Sequence, residues 1–271
     1  MTRNVAARLL TALLLALLVL PLAEGAQKKK GGKKNQPPPP QGQETPPPAP
    51  AAPAPPPAAV GTVDRKLWEY RTSEARSAVE SVAGQADSNA AVAVAMGRVL
   101  EQERKYGEAE TRLRKATELS PSDPAAWVYL GEVYLRQQNA GAADGAFRKA
   151  AEVAGGDNYY LGVARQRLRQ FDDAVAALER ARGADPGNAL IPYQIGVTRL
   201  FQEQWQPALD QFTEAINKDA GVAYAYYYRG LAADKLKRTD VLINDMEQFL
   251  KLAPDAPEAA VARAVLRAVK K

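Results

Sequence analysis

Five glycines recur at a nearly constant interval along this chain. The steps in residue number from Gly97 through Gly131, Gly162 and Gly196 to Gly230 are 34, 31, 34 and 34. A large apolar residue stands sixteen positions after each glycine: Leu113, Phe147, Leu178, Phe212 and Met246. A unit of this length cannot bury its apolar face alone, so it has to stack on its neighbours. The period therefore predicts an all-α array of stacked helical hairpins.

An alanine stands twelve positions after each of the first four glycines: Ala109, Ala143, Ala174 and Ala208. A glycine on one helix facing an alanine on the next lets two backbones approach closely. We therefore expect the glycine and the alanine to be the close partners within each hairpin. The large residue four positions after the alanine is then expected to fill the groove against neighbouring turns.

The unit over 124–154 carries a fuller set of side chains in this register. They are Trp127, Leu130, Gly131, Tyr134, Ala143, Phe147 and Ala150. This set resembles the tetratricopeptide repeat, and looser copies occupy 90–123, 155–188, 189–222 and 223–256. The resemblance implies a right-handed superhelical solenoid of about five hairpins that binds other proteins and carries out no chemistry.

The two ends of the array are expected to be single helices. Residues 61–89 place apolar side chains in second-helix slots, but the matching first helix would fall in a proline-rich stretch. We therefore expect one long N-terminal helix, a partial repeat. Residues 257–271 are expected to form a capping helix whose apolar side is made by Ala260, Val261, Ala264, Val265 and Ala268.

The stretch 1–60 is a different kind of chain. Arg3 and Arg8 precede the apolar run Leu9–Leu20, and small residues follow near Gly25. This order predicts a cleaved bacterial signal peptide over 1–25 and export to the periplasm or cell envelope. The run is shorter than the roughly 20 residues of a spanning helix. An uncleaved signal anchor in the inner membrane is the alternative, because positive charge after the run opposes export.

Residues 26–60 are a lysine-rich and then proline- and alanine-rich stretch, which predicts an extended linker. Residues 1–60 hold 7 basic and 2 acidic residues, and the remaining 29 of each sign cancel, so the leader accounts for the net charge of +5. A neutral array is not expected to bind nucleic acid. The lysines are predicted to contact an anionic membrane or cell-wall polymer, or to form only a solvated tail. They are Lys28, Lys29, Lys30, Lys33 and Lys34.

Catalysis is disfavoured by residue types that the sequence lacks. It contains no histidine and no cysteine. That excludes Ser-His-Asp and Cys-His nucleophiles, thiolate zinc sites and imidazole ligands. Paired carboxylates such as Asp172 and Asp173 fall at helix starts, where the helix dipole favours acidic residues. We expect no enzyme activity, no cofactor and no metal.

A binding site is expected on the concave surface. The resemblance implies that first-helix positions 2, 5, 9, 12 and 13 of each repeat line it. The early repeats supply a mixed polar surface there: Arg98, Glu101, Gln102, Val128, Glu132, Leu135 and Arg136. The later repeats supply a more apolar and aromatic groove: Tyr159, Val163, Gln166, Arg167, Tyr193, Val197, Leu200, Phe201, Tyr224, Tyr227 and Leu231. Some of these aromatic residues have a core position as the alternative, and Tyr226 and Tyr228 are expected in the core.

Two functions fit these features. The first is an exported scaffold or adaptor whose groove binds an apolar or aromatic peptide, or a helix, of a partner protein. The second is a structural tether, held at the membrane or cell wall by the basic and proline-rich leader. Self-association is open in both, because an aromatic groove also accepts a neighbouring copy.

Overall fold

The computed structural model describes residues 58–270, which are helical and contain no strand. The predicted signal peptide, the lysine cluster and the predicted linker up to residue 57 lie outside the described residues. Residues 58–60 are already helical, so the folded array begins inside the stretch predicted as linker. Within 58–270, no helix combines the length and the apolar character that crossing a membrane requires.

Thirteen α-helices follow one another over the described residues. The first helices of the hairpins are α1 (Ala58–Trp68), α3 (Ala90–Gln102), α5 (Pro124–Arg136), α7 (Asn158–Arg167), α9 (Leu190–Phe201) and α11 (Ala223–Lys235). The second helices are α2 (Thr72–Glu80), α4 (Tyr106–Leu119), α6 (Ala140–Val153), α8 (Phe171–Ala184), α10 (Trp205–Lys218) and α12 (Thr239–Leu252). A 3-10 turn covers Ala83–Gln85, and α13 (Ala259–Val269) ends the fold. Each hairpin packs on the next in chain order, which makes an all-α superhelical array.

Every hairpin reverses through the same backbone turn. One residue in each turn has a left-handed φ between 56° and 63°: Tyr70, Arg104, Gln138, Arg169, Glu203 and Lys237. The N–H of the next residue reaches back to the carbonyl five positions earlier, as from Asn139 to Tyr134 at 2.8 Å. These hydrogen bonds form the Schellman motif, which satisfies carbonyls at a helix end. The turn occurs six times over residues 58–270, so the described part of the chain contains six hairpins.

The N-terminal segment is therefore a full hairpin and not the single long helix expected over 61–89. Helix α1 starts at Ala58, directly after Pro57, so the first helix of this hairpin needs none of the proline-rich stretch. It ends at Trp68, and Tyr70 takes the left-handed conformation that turns the chain into α2. Fully buried Val63 anchors α1 against α3.

The repeat glycines make room for a large side chain of the second helix. A Cβ placed on Gly131 would lie 2.6 Å from the ring of Phe147, closer than real Cβ contacts. The other four repeat glycines meet the residue sixteen positions later at 2.5 to 2.8 Å. The nearest atom at each of these glycines thus belongs to the large residue and not to the alanine. At Gly162 the Ala174 carbonyl oxygen also comes close, 3.1 Å from the added Cβ. The glycine thus shapes a socket for a bulky residue.

The shortened repeat turns at a glycine. Helix α6 ends at Val153, and Gly155 has a φ of +52°, the left-handed region that glycine adopts at least cost. The carboxylate of Asp157 then accepts a hydrogen bond from the Tyr160 N–H at 3.2 Å, which caps α7. This cap satisfies an N–H that has no partner inside the helix. The junction accounts for the one shorter interval in the series of repeat glycines.

Helix α13 covers the exposed side of the last hairpin. Ala259, Ala262 and Val265 are buried, and α13 packs against α12. Ala260, expected on the apolar side, is exposed, so the buried face is rotated from the expected one. Alanines lie on several faces of this helix, so composition alone distinguishes neighbouring faces poorly.

Candidate functional site

The concave side of the array encloses a chamber of about 720 Å³. Its walls are mainly the first helices of the hairpins, together with Tyr106 and Leu113 of α4. Eight of the eleven tyrosines in the chain line it. Helix α1 supplies Leu67 and Trp68, and the stretch after α12 supplies Pro257 and Glu258 at the opposite end. The chamber therefore draws side chains from the whole length of the array and is far more aromatic than the chain as a whole.

Eight of the eleven residues predicted for the apolar groove line this chamber. They are Tyr159, Val163, Arg167, Tyr193, Val197, Leu200, Phe201 and Tyr224. All seven residues predicted for the polar half line it too: Arg98, Glu101, Gln102, Val128, Glu132, Leu135 and Arg136. The two halves form one continuous surface.

Gln166, Tyr227 and Leu231 lie in the core and not in the groove. All three side chains are about 2% exposed or less. The Gln166 amide is turned into the core, where it donates hydrogen bonds to the Gln194 carbonyl oxygen and the Thr198 hydroxyl. The Tyr227 ring lies 4.9 Å from that of Phe249 on α12, where the earlier repeats carry a small alanine. A large aromatic partner in the second helix thus takes Tyr227 into the hairpin core. Its neighbour Tyr228, expected in the core, lines the chamber.

Sequence reasoning missed one helical position, both ends of the chamber, and Arg104, Tyr106 and Leu113 in and just before α4. Position 6 of the first helices supplies Tyr129, Tyr160, Gln194 and Tyr228. Trp68 and Tyr70 come from the N-terminal hairpin, which was not expected as a hairpin. An aromatic residue next to an already predicted aromatic position was the available signal, since adjacent tyrosines occur at 159–160 and 226–228.

A ladder of ion pairs links successive first helices along the chamber wall. Arg136 pairs with Glu101 at 3.0 Å, and Arg167 pairs with Glu132 at 2.6 Å. Arg98 pairs with Asp64 of α1 in the same way. Each arginine lies 34 or 35 positions after its partner, so each pair joins two neighbouring hairpins. The charges of these six side chains cancel, so they give the chamber wall no net charge.

The tyrosine hydroxyls of the chamber stay protonated far above neutral pH. Burial, with a contribution from the nearby Glu258 carboxylate, raises the pKa of Tyr70 and of Tyr228 to about 12. Burial also raises the pKa of Tyr193 well above its usual value. The Tyr224 hydroxyl donates a hydrogen bond to Glu258 at 2.6 Å. A ligand therefore meets aromatic faces and neutral hydroxyls that both donate and accept hydrogen bonds.

The two ends of the superhelix meet across the chamber. The rings of Trp68 and Tyr193 are 6.1 Å apart in an edge-to-face arrangement, and those of Tyr70 and Tyr224 are also 6.1 Å apart. Between them, Cγ of Glu69 lies 3.5 Å from the position of a Cβ on Gly221. Three consecutive residues of the N-terminal hairpin thus touch the fourth and fifth repeats, and the concave side is narrowed by these contacts.

The acidic side chains of residues 58–270 can be checked for a metal site and for paired carboxylates. Over 58–270 no group of three acidic side chains lies close enough to hold a metal ion. Asp172 and Asp173 occupy the first turn of α8, where the dipole favours them. Asp173 pairs with Arg165 at 2.7 Å, and Asp172 accepts a hydrogen bond from Gln202. These carboxylates have structural partners.

Comparison with known proteins agrees with this architecture. Family models described as tetratricopeptide repeats match residues 94–158 and 158–188. This protein therefore contains tetratricopeptide repeats over residues 94–188. Its fold is similar to that of a thermophilic tetratricopeptide repeat protein of Thermus thermophilus, with a TM-score of 0.54 at 18% identity over 65% of this chain and 97% of that one. A tetratricopeptide repeat protein of Parabacteroides merdae gives a TM-score of 0.55 at 12% identity over 79% of this chain and 83% of that one.

One curated relative shares sequence with part of this chain. Neutrophil cytosol factor 2 of Mus musculus is 31% identical over 78 residues, which are 29% of this chain and 15% of that protein. The match thus spans a small part of the mouse protein. At a coarse level, the fold is that of a protein–protein interaction scaffold, a family that is typically non-catalytic.

Proposed function

We propose that this protein is a non-catalytic adaptor that binds a short apolar or aromatic segment of a partner protein in its concave chamber. The observation that carries the proposal is the collection of eight tyrosines on one concave surface. Tyrosine supplies a large contact area at low cost in side-chain entropy and is common among residues that dominate binding energies. A chamber lined in this way favours a peptide that presents apolar groups.

The size of the chamber suits a short segment. The chamber measures about 720 Å³, within the roughly 300–1,000 Å³ of cavities that hold ligands of drug-like size. The contacts of Trp68 and Tyr70 narrow it. A segment of a few residues fits these dimensions.

The place of action proposed is the bacterial cell envelope. The support is the charged start, apolar run and small-residue site over 1–25, the order found in secretory signals. Mass spectrometry of the protein purified from its host tests this. A mature N-terminus near residue 26 is expected, whereas an intact first segment contradicts cleavage and favours the signal-anchored form.

Capture of partners by the full-length protein tests the binding site. The test variant is Tyr224→Ala/Tyr228→Ala, which removes two chamber rings. The matched control is Tyr226→Ala on the same helix, because Tyr226 lies beside the Arg229 guanidinium and outside the chamber. We expect the wild type and the control to retain a partner from envelope extract that the double variant loses at unchanged helicity. Equal capture by all three contradicts the chamber as the binding site and favours the tether function.

A further inference from the structure

The turn between α1 and α2 places two aromatic side chains against the far wall of the chamber. Trp68 packs with the cluster around Tyr193, and Tyr70 packs with the cluster around Tyr224. These contacts join residues more than 120 positions apart in sequence and skip the intervening repeats. In a solenoid each repeat normally contacts only its neighbours. The contact therefore needs an explanation beyond the stacking of hairpins.

Stacking of the N-terminal hairpin does not depend on this contact. The hairpin is anchored by its own apolar residues, Val63, Leu67, Ala75 and Val79, which cluster with Ala95 and Val99 of α3. The Arg98–Asp64 ion pair adds a second link to α3. The hairpin thus keeps its place in the array if the far-wall contacts open. Closure and stacking are separate features.

The turn itself differs from the five turns that follow it. The other left-handed residues, Arg104, Gln138, Arg169, Glu203 and Lys237, are exposed and polar. At the same position Tyr70 is half-buried and its ring enters the chamber. A bulky residue with positive φ is uncommon and costs free energy. Here that residue is one of the two rings that contact the far wall.

We infer that the Trp68-Glu69-Tyr70 turn is an internal ligand, and that a partner binds by displacing it with aromatic side chains of its own. This inference rests on the proposed function and specifies the chemistry of the partner segment. Tyr193 and Tyr224 already pack against the rings of Trp68 and Tyr70 in edge-to-face or tilted geometry. An aromatic ring of the partner can therefore take the place of either ring on this wall. The N-terminal hairpin then acts as a gate that a matching segment opens.

A disulfide lock tests the gate within one protein. The chain has no cysteine of its own, so Glu69→Cys/Gly221→Cys introduces a single defined pair. The sulfur that replaces Cγ of Glu69 would lie about 3.5 Å from a Cβ placed on Gly221, so the two introduced side chains come within reach of a disulfide. The probe is a fluorescent peptide with the sequence of residues 64–72 of this chain. We expect the oxidised protein to bind it at least tenfold more weakly than the reduced protein.

A second variant removes the internal ligand without disturbing the turn. Trp68→Ala/Tyr70→Gly deletes both rings, and glycine suits the left-handed φ of 56° at residue 70. If the closed form holds about nine-tenths of the population, this variant binds the probe about tenfold more tightly than the wild type. A peptide lacking both aromatic residues is the control and is expected to bind neither protein.

Three results overturn the inference: a disulfide that does not form, equal binding by oxidised and reduced protein, or equal binding by the wild type and the ring-deleted variant. Failure of the proposed function gives a different result from failure of the gate. If the chamber is not the binding site, the Tyr224→Ala/Tyr228→Ala protein keeps its captured partner. If it loses the partner while the lock has no effect, the chamber binds and only the gate is wrong.

Discussion

Non-glycine residues in the left-handed conformation recur at every hairpin turn. For an L-residue this conformation costs roughly 1–2 kcal/mol, a cost that glycine avoids while losing some entropy in the unfolded chain. Exposed Gln138 carries that cost outside the chamber, and exposed Arg104 carries it at the chamber edge. The turns are thus fixed by the flanking helices and by the Schellman hydrogen bonds, with no help from local preference.

Glycine at these turns is expected to stabilise the protein. Gln138→Gly and Arg104→Gly should each raise the free energy of unfolding by about 0.5–1 kcal/mol, and the effects should add because the sites are far apart. Urea denaturation measures both. Arg148→Gly, on the exposed face of helix α6, is the control and should lose about 1 kcal/mol. A loss in the turn variants contradicts the left-handed assignment.

A methyl group at a repeat glycine is expected to destabilise its hairpin. Gly131→Ala places a Cβ 2.6 Å from the Phe147 ring, so the ring has to shift, at about 1–3 kcal/mol. Gly145→Ala is the matched control, since nothing lies within 4 Å of its new Cβ and α6 gains about 0.5–1 kcal/mol. Adding Phe147→Leu to Gly131→Ala should recover part of the loss. Equal thermal midpoints for the two alanine variants contradict the socket.

Among the elements, the hairpins that could be predicted from the sequence are those that carry a repeat glycine. The five hairpins with a glycine socket were found from sequence because the pair sixteen positions apart is chemically distinctive. In the N-terminal hairpin the same two slots hold Val63 and Val79, both fully buried. Val79 is smaller than the large residue of the other hairpins, which leaves room for Val63 in the slot that elsewhere holds glycine. The two helices therefore pack in the same way without a glycine in the sequence to indicate it. That exchange is why the sequence indicated only one helix there.

The capping helix α13 is expected to stabilise the end of the array locally. Val265→Asp places a carboxylate on the buried face against α12, whereas Ala260→Asp places one on the exposed face and serves as control. Neighbour interfaces dominate in repeat arrays, so loss of amide protection should be confined to α11, α12 and α13. Hydrogen exchange followed by mass spectrometry measures this. Uniform loss over all hairpins contradicts a nearest-neighbour array.

At the scale of the whole molecule, the lining of the chamber could be predicted and its closure could not. Helical positions specify which side chains face inward, and fifteen of the eighteen residues predicted on that basis line the chamber. The distance between Trp68 and Tyr193 depends instead on the small rotation from each hairpin to the next, summed along the superhelix. Small changes in each rotation accumulate, and the shortened repeat at Gly155 changes the rotation at its own junction. The sequence therefore does not specify whether the two ends of the array come into contact.

The buried tyrosines are expected to make the fold sensitive to alkali. Tyr70 and Tyr228 have a pKa of about 12 in the folded protein, against about 10 for an unfolded tyrosine. The unfolded state therefore loses protons first, and stability falls as the pH rises from about 10 to about 12. Urea midpoints at several pH values measure the slope. Tyr70→Phe/Tyr228→Phe should flatten it, and an unchanged slope contradicts the contribution of these hydroxyls.

The contact between the first hairpin and the far wall also has a mechanical consequence. An open solenoid extends like a spring when its ends are pulled, because each repeat yields a little. Here tension on the two ends first loads the aromatic pairs Trp68–Tyr193 and Tyr70–Tyr224. The molecule resists small extensions and becomes compliant after this one release, so force applied to the N-terminal leader would open the chamber without unfolding a hairpin.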